Sequence, residues 1–181
     1  MALTATVHVF EIALSDVDRS VYETLELRVA QHPSETLRFL VTRTLAYCLS
    51  YEEGIAFSKG GISSTDEPPI AVRDPTGILL AWIDVGVPSA ERLRKASKAA
   101  RRVAVFTTEL AQLRREASGK KIHASDDVDV WPLDPSFVEA IVAKTERKTK
   151  LELTRNEGQL YATIGGTTLE APLARASLSA P

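Results

Sequence analysis

The chain has 181 residues, 44% apolar and 25% charged, with 22 Lys/Arg against 24 Asp/Glu and a net charge of −2. This is the composition of an ordinary soluble globular protein with enough apolar material for one core. No apolar run approaches the roughly 18 residues that span a bilayer. The single cysteine excludes an internal disulfide, and three scattered histidines give no zinc spacing. Together with an N-terminus that lacks a basic segment followed by an apolar one, these features predict no signal peptide, no membrane association and a reducing, cytoplasmic setting. Length predicts one domain over residues 1–181, with a core over about 20–148, a C-terminal β-meander over 149–173 and a disordered tail over 174–181.

In chain order, Thr4–Leu14 and Tyr22–Ala30 predict an antiparallel hairpin across a polar break at Asp16–Ser20. In the second strand Leu25, Leu27 and Val29 alternate with Glu26 and Arg28. His32-Pro33 ends the pattern, and Ser34 is the expected N-cap of a helix with Glu35 in its first turn. Leu37, Leu40, Val41, Thr44, Leu45 and Cys48 trace that helix's apolar face, and Gly54 closes the segment. Ile55–Phe57 predicts a short strand and Lys59–Thr65 a loop.

Ile70–Val72 and Ile78–Ile83 flank the turn sequence Asp74-Pro75-Thr76-Gly77. Six apolar residues without alternation, Ile78–Ile83, predict an inner strand covered on both faces. Next follow a basic amphipathic helix (Ser89–Arg102), a strand (Val103–Thr107), a helix (Glu109–Ala117) ended by Gly119, and a strand (Val128–Leu133). A helix capped by Asp134 with Pro135 at its first position comes after them. Three strands close the order: Thr149–Arg155, Gln159–Ile164 and Thr167–Ala171. Strands alternating with helices after a hairpin predict an α/β (α+β) fold with a mixed central sheet flanked by helices.

The hairpin around Asp74–Gly77 carries the chemistry. With a three-residue loop Asp74 faces Ile78, Asp66 falls opposite Gly86, and Asp84 shares that face; with a two-residue loop Glu67 falls opposite Asp84. Either register brings an acid of the Asp66-Glu67 pair near Asp84. Close carboxylates repel unless a cation or proton lies between them, so Asp66, Glu67 and Asp84 are candidate ligands of Mg²⁺, or of Mn²⁺. Acids at strand ends also often just face water. Asp84, however, ends a run expected to be buried, where an unpaired charge is costly.

The helix after that strand carries Arg92, Arg94, Lys95, Lys98, Arg101 and Arg102 against Glu91. Lys95 lies about one and a half turns in, placed to stabilise charge on a phosphate. A solvated basic face is the alternative for any one of these side chains. Between Arg92 and Lys121 there are ten Lys/Arg and two Asp/Glu, a local excess suited to nucleic acid or to an acidic protein partner.

His32-Pro33-Ser34-Glu35-Thr36, Arg43–Tyr47, Asp66-Glu67-Pro68, Trp82–Pro88, Arg94-Lys95-Ala96 and Val105-Phe106-Thr107 together resemble the YaeQ family along nearly the whole chain. The resemblance implies a PD-(D/E)XK restriction-endonuclease-like core with extra N- and C-terminal β-structure. It places Asp66 and Asp84 at the two metal-binding acids and Glu35 at the acid some such nucleases carry on their first helix. The nuclease motif's lysine, two residues after the second acid, falls on Gly86, and Lys95 is the relocated candidate. The implied function is Mg²⁺-dependent cleavage of phosphodiester bonds by Glu35, Asp66, Asp84 and Lys95. The alternative is a catalytically inactive nuclease-fold protein that binds nucleic acid, or a protein partner, in regulating gene expression.

Overall fold

The computed structural model describes residues 4–59, 62, 64–118 and 127–179. Gly119, expected to end a helix, and Lys120 and Lys121 of the basic segment lie outside them. The described residues form a mixed α+β structure with four α-helices and two five-stranded mixed sheets. The chain divides into two compact units, Met1–Thr44 with Leu133–Leu173 and Leu45–Pro132 with Ala174–Pro181.

The first unit holds the sheet β10-β9-β8-β1-β2. Its strands are β1 (Thr6–Asp16), β2 (Val21–Gln31), β8 (Lys148–Asn156), β9 (Gln159–Ile164) and β10 (Thr167–Pro172). β1 pairs antiparallel with β2 and parallel with β8, while β8, β9 and β10 form an antiparallel meander. Period-two alternation decides its buried face. Phe10, Ile12 and Leu14 of β1 stand inward with Leu25, Leu27 and Val29 of β2 and Leu151 and Leu153 of β8. Helix α4 (Pro135–Val142), capped by Asp134 Oδ1 on Phe137 N at 2.9 Å, buries Phe137, Val138 and Ile141. The β-structure expected at the two termini is thus one separate sheet, joined where β8 returns beside β1, and not an addition to the central one.

The second unit holds the sheet β3-β4-β5-β6-β7. Its strands are β3 (Ile55–Phe57), β4 (Ile70–Arg73), β5 (Leu79–Val85), β6 (Arg102–Thr107) and β7 (Val128–Pro132). β3, β4 and β5 are mutually antiparallel, and β5, β6 and β7 run parallel. Helices α2 (Ala90–Ala99) and α3 (Leu110–Ala117) are the crossovers, and both cover one face. Leu93, Ala96 and Leu113 pack there against Trp82, Val105 and Val130. Ala81–Val85 are all buried in the central strand of the five, as the apolar run predicts for Ala81–Ile83, while Leu79 and Leu80 are half-buried. Ile78 is 58% exposed because it belongs to the turn: its N–H donates to Asp74 Oδ1 at 2.9 Å.

Local details depart from expectation for identifiable reasons. Helix α1 (Leu37–Leu49) is capped by Thr36, whose Oγ1 accepts from Phe39 N at 3.1 Å. Ser34 is engaged elsewhere, with its Oγ 2.7 Å from His32 Nδ1. Glu35 therefore precedes the helix. Helix α2 ends at Ala99, because Ala100 is extended and Arg102 already belongs to β6. Residues 174–179, part of the tail expected to be disordered, are held in the second unit. Ala176 N donates to Val130 O at 2.8 Å, Arg114 Nε donates to Ser177 O at 3.0 Å, and Leu178 is buried.

Candidate acidic site and its cationic helix

The hairpin loop is the three-residue form. Gly77 has φ +90° and donates to Asp74 O at 2.9 Å, while Asp74 N donates to Ile78 O at 3.0 Å. Only glycine adopts that conformation at no steric cost. Arg73 then pairs with Leu79, but Val72 pairs with Ala81, so Leu80 is an extra residue on β5. This bulge shifts the register by one and overturns both outward counts made from the turn. Asp66 and Glu67 also precede β4, which begins at Ile70, so they approach Asp84 as a loop rather than as ladder partners.

Asp84 stands on the helix-covered face with Trp82, two residues before it, and is 2% exposed. Ser89 caps α2 through its Oγ, which accepts from Arg92 N at 3.1 Å. That cap sets the helix phase and turns Arg92 back over the end of β5. Arg92 Nε donates to Asp84 Oδ1 at 2.8 Å and Oδ2 at 3.0 Å, and Trp82 Nε1 donates to Oδ2 at 2.8 Å. The guanidinium carbon lies 5.4 Å from the Trp82 ring centroid, within cation–π range. Its other nitrogens reach the loop: Nη1 donates to the Ser64 and Thr65 carbonyls, each at 3.3 Å, and Nη2 to the Glu67 carbonyl at 2.9 Å. One arginine thus ties the buried acid to residues 64–67. Burial pushes the Asp84 carboxyl above its ordinary range, and Arg92 and then Trp82 pull it back down.

Lys95 lies one turn further along α2 and pairs its Nζ with Asp66 Oδ1. This contact holds the exposed Asp66 carboxyl below its usual range. Glu67 turns another way, with its Oε2 accepting from Ser58 Oγ at 2.9 Å. Arg94, Lys98 and Arg101 are exposed and have no ionic partner among the described residues. Arg102 pairs with Glu52. Glu35, in the first unit, accepts on Oε1 from Arg43 Nε at 3.0 Å and on Oε2 from Arg43 Nη2 and His32 N, both at 3.0 Å. This pair is buried. Removing one partner strands a charge, so Glu35→Ala is expected to cost about 3–5 kcal/mol, read as a lower urea midpoint with unchanged nucleic-acid affinity. Cys48 lies inside, as expected, and burial pushes its thiol up to about 12.

A divalent ion needs oxygen ligands that are free to face it. On Asp84 such an ion would lie within a few ångströms of the Arg92 guanidinium, a like charge. Asp66 faces Lys95, and Glu67 faces Ser58. As arranged, Asp66, Glu67 and Asp84 do not fit Mg²⁺ or Mn²⁺. Gly86, where the resemblance would put the motif lysine, has left β5 and has φ +83°. A lysine there would be strained and would not continue the strand's side-chain alternation, so Gly86→Lys is a poor means of restoring one.

Residues 1–173 match the family model described as YaeQ protein. The chain belongs to the YaeQ family. It is 32% identical over 176 residues to the YaeQ protein of Escherichia coli (strain K12), covering 96% of each chain. The crystal structure of the YaeQ protein from Pseudomonas syringae superposes with a TM-score of 0.83 at 28% identity, covering 96% of each chain. That of the YaeQ protein from Xanthomonas axonopodis pv. citri superposes with a TM-score of 0.80 at 29% identity, covering 96% of this chain and 99% of that one. The two-sheet architecture is therefore shared within the family. Among the described residues no three or more His, Cys, Asp or Glu side chains gather to hold a metal ion, and no helix is long and apolar enough to cross a membrane.

Proposed function

We propose that this YaeQ-family chain binds nucleic acid through the outer side of α2, on a scaffold resembling the PD-(D/E)XK nucleases, without cutting it. The observation that carries the proposal is a division of labour among the helix's cations. Arg92 faces inward onto the buried Asp84, and Lys95 pairs with Asp66 at the surface. Arg94 and Lys98, with Arg101 just beyond the helix, are exposed and have no ionic partner among the described residues. Acids already paired with fixed cations have little to offer a metal. Outward cations on a chain of net charge −2 form a local positive surface that attracts a phosphate backbone. Fluorescence anisotropy with a labelled oligonucleotide tests this together with a cleavage assay. The expected result is binding that EDTA leaves unchanged and intact DNA and RNA, single- and double-stranded, after incubation with Mg²⁺ or Mn²⁺. Cleavage that disappears in Asp84→Asn would sink the non-catalytic reading.

A second reading, a metal-dependent nuclease, draws on one observation. Arg92 gathers Asp84 and the loop of Asp66 and Glu67 at one place, with Lys95 on Asp66. In that reading Asp66, Glu67 and Asp84 would hold Mg²⁺ only after Arg92 moves away, and Glu35 would have to leave Arg43. The cleavage assay separates the two readings. A third class, docking of an acidic protein partner, uses the same cations and is separated by competition with poly-glutamate.

A further inference from the structure

We infer that a pocket on the second unit's sheet receives one nucleotide unit of a single-stranded nucleic acid, an inference that rests on the nucleic-acid-binding reading of α2. The pocket holds about 360 Å³, at the lower end of the roughly 300–1,000 Å³ typical of small-ligand sites. Its floor lies where β3 and β4 carry small side chains. Ala56 stands opposite Ala71, and both line the cavity beside Gly54. Pro68 adds an apolar wall, and the rim carries Lys59, Glu67 and Arg73.

The rim's charges are available to a ligand. Among the described residues Lys59 has no ionic partner, and Arg73 gives its side chain to the Gly77 carbonyl at 3.2 Å and to no acid. Glu67 Oε2 is held by Ser58, which leaves Oε1 to accept a further hydrogen bond. A nucleotide matches this set part by part. The face of a base covers the small apolar floor, a base N–H donates to Glu67 Oε1, and the phosphate lies against Lys59 or Arg73. The base must be unpaired and unstacked to enter, which selects single strands over duplex.

The pocket also adjoins the cationic helix. Its Glu67–Pro68 wall belongs to the loop that α2 grips, through Arg92 on the Glu67 carbonyl and Lys95 on Asp66. A strand held by Arg94 and Lys98 therefore has a receptacle for a base beside its track.

Anisotropy titrations of one labelled oligonucleotide, as single strand and as duplex, test the inference against four proteins. These are the wild type, Ala56→Trp, Lys59→Ala/Arg73→Ala and Arg94→Ala/Lys98→Ala/Arg101→Ala. Ala56 is exposed on a strand, so tryptophan there fills the trough without entering the core; an unchanged melting curve checks this. The expected result is a loss of single-strand affinity on the order of tenfold in Ala56→Trp, with duplex affinity unchanged. The double variant should lose single-strand affinity by a similar factor. Unchanged single-strand affinity in both pocket variants, beside a loss in the α2 variant, overturns the pocket and leaves the α2 reading standing. No loss in the α2 variant overturns that reading and this inference with it. Poly-glutamate that competes as well as the oligonucleotide, and loses its hold in Ala56→Trp, assigns the pocket to an acidic protein segment instead.

Discussion

In the Arg92→Ala variant the unfolding free energy at neutral pH is expected to fall by about 3–5 kcal/mol and to recover partly as the pH is lowered. The drop follows from what is left behind. Asp84 is 2% exposed and keeps one donor, the Trp82 indole, and the carbonyls of Ser64, Thr65 and Glu67 lose their shared donor. A buried carboxylate without its cation favours protonation. The folded carboxyl is already raised by burial, with Arg92 the largest opposing influence, so removing Arg92 raises it further. A folded pKa above the unfolded one means that the folded state binds more protons between the two values. Stability therefore falls as pH rises from the ordinary carboxylate range toward the raised folded value, and returns as pH falls through that window. Chemical denaturation at several pH values should show this slope in Arg92→Ala, steeper than in wild type, and none of it in Asp84→Asn/Arg92→Ala. A variant as stable as wild type at neutral pH would show that the clamp is only a surface contact.

The second large effect concerns salt. If Arg94, Lys98 and Arg101 each neutralise a phosphate, log affinity for a single strand should fall with log salt with a slope of about −0.7 per contact. Three contacts then give a loss of about twentyfold between 50 and 200 mM salt. Replacing all three by alanine should remove most of that slope as well as most of the low-salt affinity, with the fold unaffected because the three side chains are exposed. Lys95→Ala should weaken binding less, since its ammonium is engaged with Asp66. Salt-independent affinity would point to a non-ionic mode of binding and away from a phosphate backbone.

Much of this arrangement is legible in the residues themselves. The run from Ile78 to Ile83 marks the inner strand, because an apolar run without alternation needs cover on two faces, although only Ala81–Ile83 of it are fully buried. Ser89 marks the start of α2, and the spacing from it brings Lys95 to Asp66. Asp74-Pro75-Thr76-Gly77 marks the turn but leaves a two- and a three-residue loop both open. Three things stayed out of reach for physical reasons. The bulge at Leu80 depends on how the strands pair further out, and it moves Asp66 and Glu67 off any simple count. The capping of α1 depends on the His32 ring engaging Ser34, a contact between side chains that compete for one position.

The third is the role of Arg92. Counted with its neighbours it reads as one more basic residue for nucleic acid. Its place as the third residue of a Ser-capped helix following a strand that ends in Trp-Ile-Asp-Val is what aims it inward. Trp82, two residues before Asp84 and on the same face, was a signal of this, since a buried indole seeks an acceptor. Glu35 is the same lesson in the first unit. It reads as an acid at a helix start, yet Arg43, two turns into that helix, takes both of its oxygens.

The most direct test of the central claim, that Arg92 and not a metal ion neutralises Asp84, is a calorimetric titration of the wild-type protein with Mn²⁺, repeated on Asp84→Asn. Indistinguishable isotherms, with no stoichiometric site in either protein, are the predicted result. One ion bound per wild-type chain, lost in Asp84→Asn, would contradict it.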